Sequence, residues 1–283
     1  MADQILEPAL LERVLEKLEL SQKPEPTLAG LTTLYSSWCS HVPFDNIRKL
    51  IHVNADKQDV LPGSDAVDFF EAWLSFGAGG TCWAGNGALR ALLSTLGFNA
   101  ARGVCTMMVA PNLPPNHGTV LVRFDGSTYQ VDASILHNVP LKLDEETEPA
   151  LAPWIDKLEY FDGHWHILWR ALHRPDAFHC RLDYQDATQT DFNERHEKTR
   201  GWSPFNYEMT IRKTKGNSVA GIANGKKVTI DESREMVITD LTDEQRKKLL
   251  IDEFGIGEQL VEMIPPDRPT PAPPDSRTAR SHT

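Results

Sequence analysis

The chain has 283 residues, of which 40 are Asp or Glu and 29 are Lys or Arg, and its formal net charge is −11. This charge argues against general affinity for nucleic acid or for an anionic membrane surface. No apolar run approaches membrane-spanning length, and the N-terminus lacks the basic and then apolar layout of a signal peptide. Its 4 cysteines are scattered without a Cys-x-x-Cys pair, which indicates neither a disulfide framework nor a zinc ribbon. We therefore expect a cytoplasmic protein in a reducing compartment.

The first part of the chain, residues 1–96, is predicted to be a helical bundle. Apolar residues recur at helical spacing over residues 5–18, and further helical segments are indicated at 28–39 and 66–76. The last helix of this bundle is the one that carries the first candidate functional residue.

That residue is Cys82, which precedes a helical pattern over residues 87–96 that ends at Gly97. The pattern places Cys82 in the first turn of a buried helix, where unpaired N–H groups and the helix dipole stabilise a thiolate, the form that attacks. Gly79 and Gly80 remove side chains from the approach of a substrate carbonyl and leave backbone N–H groups free to bind an oxyanion. A buried structural thiol is the alternative, and we adopt it for the other three cysteines.

Residues 97–200 are dominated by strand signals and predict an antiparallel sheet or barrel. One hairpin is indicated by Asp162-Gly163 between two β-rich runs. Another is indicated by Asp125-Gly126, the strongest short-range turn dipeptide.

The Asp125-Gly126 hairpin places two polar side chains on one face. If the dipeptide is a two-residue turn, residue 124 faces residue 127, and His117 and Asp132 become diagonal neighbours roughly 7–8 Å apart. A four-residue loop preserves this parity, whereas a three-residue loop would send the two side chains to opposite faces. The carboxylate can then reach one imidazole nitrogen.

If they converge, Cys82, His117 and Asp132 form a nucleophile, a base and an orienting acid. This combination is suited to acyl transfer through a covalent thioester. Taken singly, a histidine at a strand start and an aspartate beside a turn are both common, so the prediction depends on the combination.

The third part, residues 201–264, is predicted to be an α/β unit. Strand signals surround Asn224-Gly225, and a helix with a capping box opens on Thr242 and closes at Gly255. Residues 265–283 are rich in proline and polar residues without apolar periodicity, which predicts a disordered tail.

A cluster of histidines raises the question of a metal site; its members are His164, His166, His173, His179 and Cys180. Two of the histidines alternate with aromatic residues as in an ordinary strand, and no tight ligand pair precedes them. No metal site is therefore predicted.

Four motifs make the chain resemble the arylamine N-acetyltransferase family. The family's marks are VPFENL, then RGGFC with a nearby asparagine, then a histidine, then VDVG. This chain has, in the same order and spacing, VPFDNI at 42–47, GGTC at 79–82 with Asn86, His117, and VDAS at 131–134. The resemblance continues through shorter matches at 191–193, 203–205, 241–242 and 253–256, and covers most residues to about position 264.

The chain departs from the family pattern around the cysteine and after the aspartate. Ala78, Thr81 and Ala84 replace the arginine, phenylalanine and glutamate of the cysteine motif, and Ser134 and Leu136 replace glycines. The resemblance thus implies an intact triad with an altered lining. We expect acceptor preferences unlike those of typical relatives, with slow turnover of simple aryl amines.

The resemblance implies an α+β fold of helical bundle, antiparallel β-barrel and α/β lid around a Cys-His-Asp core like that of cysteine proteases and transglutaminases. It also implies ping-pong transfer from acetyl-coenzyme A, or another acyl-coenzyme A, to a small-molecule amine, hydrazine or hydroxylamine, without a permanently bound cofactor. Oligomeric state is left open. Candidate substrate-binding residues are Phe44, Trp83, Thr119 and Phe205.

Three alternatives remain open at this point. An amide synthase that takes its acyl group from a carrier-protein thioester would use the same nucleophile. A transglutaminase-like or papain-like hydrolase uses the same Cys, His, Asp order, and only the matches at 42–47 and 203–205 disfavour it. A non-catalytic binding module with a relic triad is weakened because all three triad residues are present.

Overall fold

The computed structural model describes residues 5–124, 126–146, 152–172 and 174–274. Within these ranges the chain forms helices and two sheets in which neighbouring strands pair antiparallel. The predicted α+β class is therefore confirmed. None of the helices in the described ranges has the length and apolar character needed to cross a membrane.

The helices lie mostly in the first third of the chain. They are α1 (Pro8–Lys17), α2 (Leu28–His41), α3 (Ile47–Asn54), α4 (Ala66–Phe76), α5 (Cys82–Thr95), α6 (Gln189–Lys198), α7 (Asp243–Asp252) and α8 (Glu258–Val261). The sequence predicted α1, α2, α4, α5 and α7 but not α3, α6 or α8. A capping box between Thr188 and Asp191 opens α6 within the stretch predicted to be strands, and it is the local signal that indicates this helix.

The strands form one sheet of seven and one of five. They are β1 (Phe44–Asp45), β2 (Ala100–Met107), β3 (His117–Phe124), β4 (Ser127–Val131), β5 (Leu141–Lys142), β6 (Ile155–Phe161), β7 (His164–Trp169), β8 (Phe178–Ala187), β9 (Ile211–Lys215), β10 (Ser218–Ala223), β11 (Lys226–Ile230) and β12 (Met236–Asp240). The larger sheet has the order β5-β4-β3-β2-β8-β7-β6, and the smaller has β1-β9-β10-β11-β12.

The predicted hairpin register between β3 and β4 is confirmed, with Phe124 opposite Ser127 and Val120 opposite Val131. Asp125 itself lies outside the described residues. The turn at Asp162-Gly163 has positive φ at both residues, 50° and 77°, which is the backbone of a type I′ turn. The Asn224-Gly225 turn likewise has φ of 51° and 70°.

The largest hydrophobic core packs α1, α2, α4 and α5 against the inner face of β3 and β4. Helix α5 is the most enclosed element, since 11 of its 14 residues are buried. It lies against β2 and β3. A helix fixed on all sides gives its first residue a defined position, and that residue is Cys82.

The two sheets link parts of the chain that are distant in sequence. Strand β1 follows α2 directly, yet it pairs with β9, with Phe44 opposite Arg212 and Asp45 opposite Ile211. The predicted division at residues 96, 200 and 264 stays a prediction. Helix α7 ends at Asp252, and Gly255 closes it as predicted, with φ of 72° and its N–H donating to the carbonyl of Ile251 at 3.2 Å.

The beginning of the predicted disordered tail is bound to the rest of the protein. Asp267 accepts the N–H of Met209 at 2.7 Å, and the N–H of Arg268 donates to the carbonyl of Tyr207 at 2.9 Å. The proline-rich composition did not reveal these polar contacts. The predicted tail from residue 275 onward lies outside the described residues.

Candidate active site

Cys82 is the first residue of α5, as predicted, and is 7% exposed. The preceding Thr81 has an extended backbone, with φ of −73° and ψ of 177°. The N–H groups of the first helical turn have no acceptor inside the helix. This position suits an anion, either a thiolate or an oxyanion.

The Gly-Gly sequence before Cys82 is only partly as expected. A Cβ on Gly79 would lie 2.0 Å from the carbonyl oxygen of Pro43, so no other residue fits there. However, the N–H of Gly79 donates to Oδ2 of Asp45 at 2.6 Å. The expectation that this N–H is free to bind an oxyanion was therefore wrong.

Asp45 is a fully buried carboxyl beside the loop of residues 77–81 that precedes Cys82, here called the cysteine loop. Besides Gly79 it accepts the N–H of Ile47 at 2.9 Å. Burial raises the pKa of Asp45 to about 6, although the two N–H donors and the charge of Arg48 oppose that rise.

The predicted pair of His117 and Asp132 is present. Nε2 of His117 lies 2.7 Å from Oδ2 of Asp132, and both side chains are buried. Since Nε2 is engaged with Asp132, Nδ1 is the nitrogen left to act on Cys82, and the influence of Cys82 helps to raise the pKa of His117. Cys82 and this pair lie in the same part of the molecule, since the amide of Asn86 bonds both to the carbonyl of Cys82 and to that of Gly118, the residue after His117.

Electrostatics of this pair favour the charged forms. Burial lowers the pKa of His117, but the charge and hydrogen bond of Asp132, with smaller contributions from Cys180 and Cys82, raise it well above its ordinary value. Burial raises the pKa of Asp132, but His117 and the N–H of Ile135 lower it to about 2. An imidazolium beside a carboxylate is therefore the stable state, which is the partner that a thiolate needs.

Asn86 lies one helical turn after Cys82 and was not assigned a role from the sequence. Its amide donates to the carbonyls of Cys82 at 3.1 Å and Gly118 at 2.6 Å, and its Oδ1 accepts the N–H of Ala133 at 2.9 Å. Asn86 therefore fixes the cysteine helix against the residues that follow His117 and Asp132.

Arg212 on β9 is a buried cation close to the triad, and the sequence did not predict it. It donates to the carbonyl of Ser134 at 2.6 Å, and its guanidinium lies 4.3 Å from the ring centre of Phe44. Burial lowers the pKa of Arg212 to about 10, while the charges of Asp132 and Cys82 oppose this. The side chain consequently contributes positive charge to the site.

Leu136 has a left-handed backbone, with φ of 56°, and is fully buried. The resemblance placed a glycine of the family here, and glycine adopts such a φ without strain. Leucine in this conformation costs roughly 1–2 kcal/mol, which its burial in the largest core offsets.

The candidate substrate-binding residues lie in three different surroundings. The rings of Phe44 and Phe205 lie edge to face with centres 5.4 Å apart, and the backbone of Phe44 pairs with Gly80 in the cysteine loop. Trp83 packs instead against Phe192, with ring centres 5.1 Å apart. The hydroxyl of the fourth candidate, Thr119, donates to a backbone carbonyl at 3.2 Å and is buried. Their binding roles stay predictions.

The histidine cluster of the outer strands has ordinary structural partners. His166 stacks on Phe161 with ring centres 3.7 Å apart, and His179 lies 2.7 Å from the carboxylate of Glu159. Among the residues that the structure describes, no group of three potential metal ligands converges. His173 lies outside them.

A thiol at a helix N-terminus, an imidazole and a buried carboxylate, in this order, are the parts of an enzyme with a cysteine nucleophile. The sequence model of a family described as N-acetyltransferase matches residues 27–261, and the chain belongs to this family. The resemblance seen in the sequence is therefore confirmed, and the protein is an acetyltransferase. No curated protein matches the chain in sequence.

Solved structures share the fold. The arylamine N-acetyltransferase from Mycobacterium abscessus is 18% identical, with 90% of this chain and 93% of that chain covered and a TM-score of 0.76. The enzyme from Salmonella typhimurium is 20% identical, with 89% and 93% covered and a TM-score of 0.73. The Mycobacterium marinum enzyme in complex with CoA is 17% identical, with 90% and 99% covered and a TM-score of 0.73.

Proposed function

We propose that this acetyltransferase carries an acyl group from a coenzyme A thioester to an amine, hydrazine or hydroxylamine through an acyl-Cys82 intermediate. The observation that carries the proposal is the buried, hydrogen-bonded pair of His117 and Asp132, which Asn86 connects to Cys82 at the N-terminal end of α5. The M. marinum relative was solved with CoA, and we extend that donor class to this chain.

In the first half-reaction His117 takes the thiol proton and Cys82 attacks the thioester carbonyl. The carbon–sulfur bond to coenzyme A breaks, and the departing thiolate takes the proton from the imidazolium. Asp132 keeps the imidazole in one orientation and stabilises its charge. The products are free coenzyme A and an acyl-enzyme.

In the second half-reaction the acceptor amine attacks the acyl carbon of the thioester. The amine gives a proton to the neutral imidazole of His117, the bond to the sulfur of Cys82 breaks, and the amide leaves. The thiolate–imidazolium pair is restored. No metal or redox step is needed for this balance.

The oxyanion of each tetrahedral intermediate needs hydrogen-bond donors near the sulfur. Because Asp45 occupies the N–H of Gly79, we assign this role to the N–H groups of the first turn of α5, beginning with Cys82 itself. The positive end of the helix dipole acts in the same direction.

We assign binding of the acceptor amine to Phe44 and Phe205, because the backbone of Phe44 pairs with Gly80 in the cysteine loop. The edge-to-face rings suit a flat amine. The replacements at Thr81, Ala84 and Ser134 change the surroundings of the nucleophile, and they support acceptor preferences that differ from those of typical relatives.

The test is the intact mass of the protein after mixing with acetyl-coenzyme A in the absence of an acceptor. We expect one acetyl adduct, which an aryl amine or a hydrazine then discharges with formation of the amide. Cys82→Ala should form no adduct while keeping its fold, and His117→Ala should form it very slowly. Equal adduct formation in Cys82→Ala would exclude this nucleophile. Steady release of coenzyme A without acceptor would indicate a hydrolase. Acylation of Cys82 (charging) by a carrier-protein thioester alone would indicate an amide synthase.

A further inference from the structure

Two side chains of β9 hold the loop of residues 133–136, here called the carboxylate loop because it follows the aspartate of the triad. Nε of Arg212 donates to the carbonyl of Ser134 at 2.6 Å, and the hydroxyl of Thr214 donates to the carbonyl of Leu136 at 3.0 Å. Residues two positions apart on a strand point to the same face, so both contacts come from one face of β9. Both side chains are buried.

The carboxylate loop in turn holds the carboxylate of Asp132. The N–H groups of Ser134 and Ile135 donate to its Oδ1 at 2.8 and 2.9 Å. Its other oxygen, Oδ2, lies 2.7 Å from Nε2 of His117. The two oxygens of a carboxylate move together, so the N–H groups that fix Oδ1 also fix the oxygen that orients the imidazole. Ser134 therefore connects Arg212 to the triad through its own backbone.

The guanidinium of Arg212 is itself held between aromatic rings. Its central carbon lies 4.3 Å from the ring centre of Phe44 and 5.1 Å from that of Trp169. Phe44 is also the residue opposite Arg212 in the pairing of β1 with β9. A guanidinium offers several N–H donors in a fixed plane and stacks on aromatic faces, whereas the ammonium group of lysine carries the same charge without this geometry.

One contact of Arg212 depends on the side chain of Ser134. Nη2 of Arg212 donates to Oγ of Ser134 at 3.1 Å, beside the bond from Nε to the carbonyl. The family pattern has a glycine at this position, and glycine offers no hydroxyl. The second bond of the guanidinium therefore depends on one of the replacements that distinguish this chain from the family pattern.

The charge of Arg212 also acts on Asp132, and the test must separate it from the hydrogen bonds. The other ionisable groups around this carboxylate are His117, His137 and Tyr35. Burial lowers the pKa of His137 to about 4 and raises that of Tyr35, so both are neutral at pH 7. Burial lowers the pKa of Arg212 only to about 10, so its guanidinium remains charged there.

We propose that Arg212 is a positioning residue of the triad, which fixes the carboxylate of Asp132 through the backbone of Ser134, with Thr214 as a second support of the carboxylate loop. Arg212 acts through Asp132 and His117 and not on the substrate. The proposal rests on the proposed function only in taking Cys82 as the nucleophile and His117 as its base.

The test is the rate of alkylation of Cys82 by iodoacetamide, measured by intact mass from pH 5 to pH 10, with Cys82→Ala as background for the other cysteines. A well-placed Asp132 stabilises the imidazolium, and the imidazolium stabilises the thiolate, so the midpoint of the profile reports the placement of the carboxylate. In Arg212→Met we expect the midpoint to rise by about one pH unit, which means about tenfold slower alkylation on the acid side. Arg212→Lys keeps the charge but not the planar donors, and it should shift the midpoint almost as far.

Two milder variants each remove a single contact of the carboxylate loop. Ser134→Ala removes the hydroxyl that accepts from Nη2 of Arg212, and Thr214→Val removes the hydroxyl that donates to Leu136. Each should shift the midpoint in the same direction by a smaller amount. They repeat the test if Arg212→Met does not fold.

A second replacement at Asp132 distinguishes positioning from a general structural role. If Arg212 acts through this carboxylate, Arg212→Met should cause no further shift in an Asp132→Asn background. Arg90→Met is the matched control. Arg90 is a similarly buried arginine that donates to the carbonyl of Ala100, and it lies about two turns beyond Cys82 on α5. Its replacement should leave the midpoint unchanged in both backgrounds.

An unchanged midpoint in folded Arg212→Met, or an equal shift in the Asp132→Asn background, would overturn the proposal. A wild-type profile in Arg212→Lys would do so as well, because charge alone would then be sufficient. If neither arginine variant folds, unchanged midpoints in both Ser134→Ala and Thr214→Val would be the contradicting result. Alkylation needs no acyl donor, so these results are independent of whether acetyl-coenzyme A acylates Cys82.

Discussion

The hydroxyl of Tyr35 lies against the backbone of Asp132, where it donates to the carbonyl oxygen at 2.9 Å and accepts the N–H at 3.1 Å. The same hydroxyl accepts the N–H of His137 at 3.2 Å. Tyr35 belongs to α2 and is fully buried. The helical part of the protein thus fixes the loop that bears the triad carboxylate.

Tyr35→Phe removes that hydroxyl and leaves the backbone of Asp132 and His137 without these partners. An unsatisfied buried group costs about 1–3 kcal/mol, so we expect a loss of stability of at least that size. We also expect slower acylation of Cys82, because the carboxylate of Asp132 is then less well positioned to orient His117. Chemical unfolding and the charging rate measure the two effects. A stable variant with unchanged charging would show that Tyr35 does not position Asp132.

Asn86→Ala should slow charging of Cys82 by about 100-fold, because small misplacements of catalytic groups have effects of that order. The amide connects the carbonyls of Cys82 and Gly118, and alanine cannot. Asn206→Ala is the control, since Asn206 is an equally buried asparagine that bonds to Thr199 and Arg200 away from the triad. Equal losses in both variants would indicate a general effect on stability.

The pair of His117 and Asp132 predicts how stability depends on pH. The pKa of Asp132 falls from 3.8 to about 2 on folding. Its carboxylate therefore adds to the free energy of unfolding above pH 3.8, and this stabilisation is lost as the pH falls toward 2. Folding raises the pKa of His117 above 6.5. The stabilisation of the folded protein by the imidazolium is therefore complete below pH 6.5, and it is lost as the pH rises through the pKa of the folded state.

Asp132→Asn should therefore destabilise the protein most between about pH 4 and pH 6.5, by about 3–5 kcal/mol for the loss of a buried charge partner. The difference in stability between this variant and the wild type should become smaller as the pH falls toward 2. Urea unfolding at several pH values measures this. Asp186→Asn, which breaks an exposed ion pair with Arg123, should cost no more than about 1 kcal/mol at any of them. A deficit that does not change with pH would contradict the charged pair.

The sequence predicted the parts of the site that depend on local signals. Helical periodicity and Gly97 located the helix of Cys82, and the hairpin parity placed His117 and Asp132 on one face. These features lie within a few residues of one another, so patterns of spacing are sufficient for them.

The remaining parts depend on contacts between distant segments, which spacing does not encode. Tyr35 is 97 residues from Asp132, and Asp45 is 34 residues from the glycine whose N–H it occupies. Arg212 reaches the site from β9, and it reads as an ordinary surface cation in the sequence. Only the folded chain brings these groups to Cys82.

Lys49→Met should make the protein more stable at neutral and acid pH. The pKa of Lys49 falls from 10.5 to about 7 on folding, so the folded protein bears the full cost of the buried charge below about pH 7. This cost decreases as the pH rises from 7 to 10.5, where the unfolded chain holds the extra proton. One pKa unit is about 1.4 kcal/mol, and the gain at pH 6 should be at least that large. A gain that is equal at pH 6 and pH 10 would contradict the buried ammonium.

Truncation after Ile264 should lower the melting temperature, because it removes contacts made by the residues that follow. Asp267 pairs with Arg246 at 2.6 Å, and Arg268 donates to Oδ1 of Asn54 at 2.6 Å. The carbonyl of Pro271 accepts the indole N–H of Trp202 at 3.1 Å.

These contacts surround the segment that contains Phe205, whose carbonyl accepts from Asn46 at 2.9 Å. We therefore expect the same truncation to weaken acceptor binding, seen as a raised KM for an aryl amine, while charging of Cys82 changes less. Truncation after Pro274 retains every one of these contacts and is the control. Asp267→Asn removes the charge that pairs with Arg246 and should reproduce part of the loss of stability. Equal melting temperatures for the two truncated proteins would show that the contacts of residues 265–274 contribute nothing to the fold.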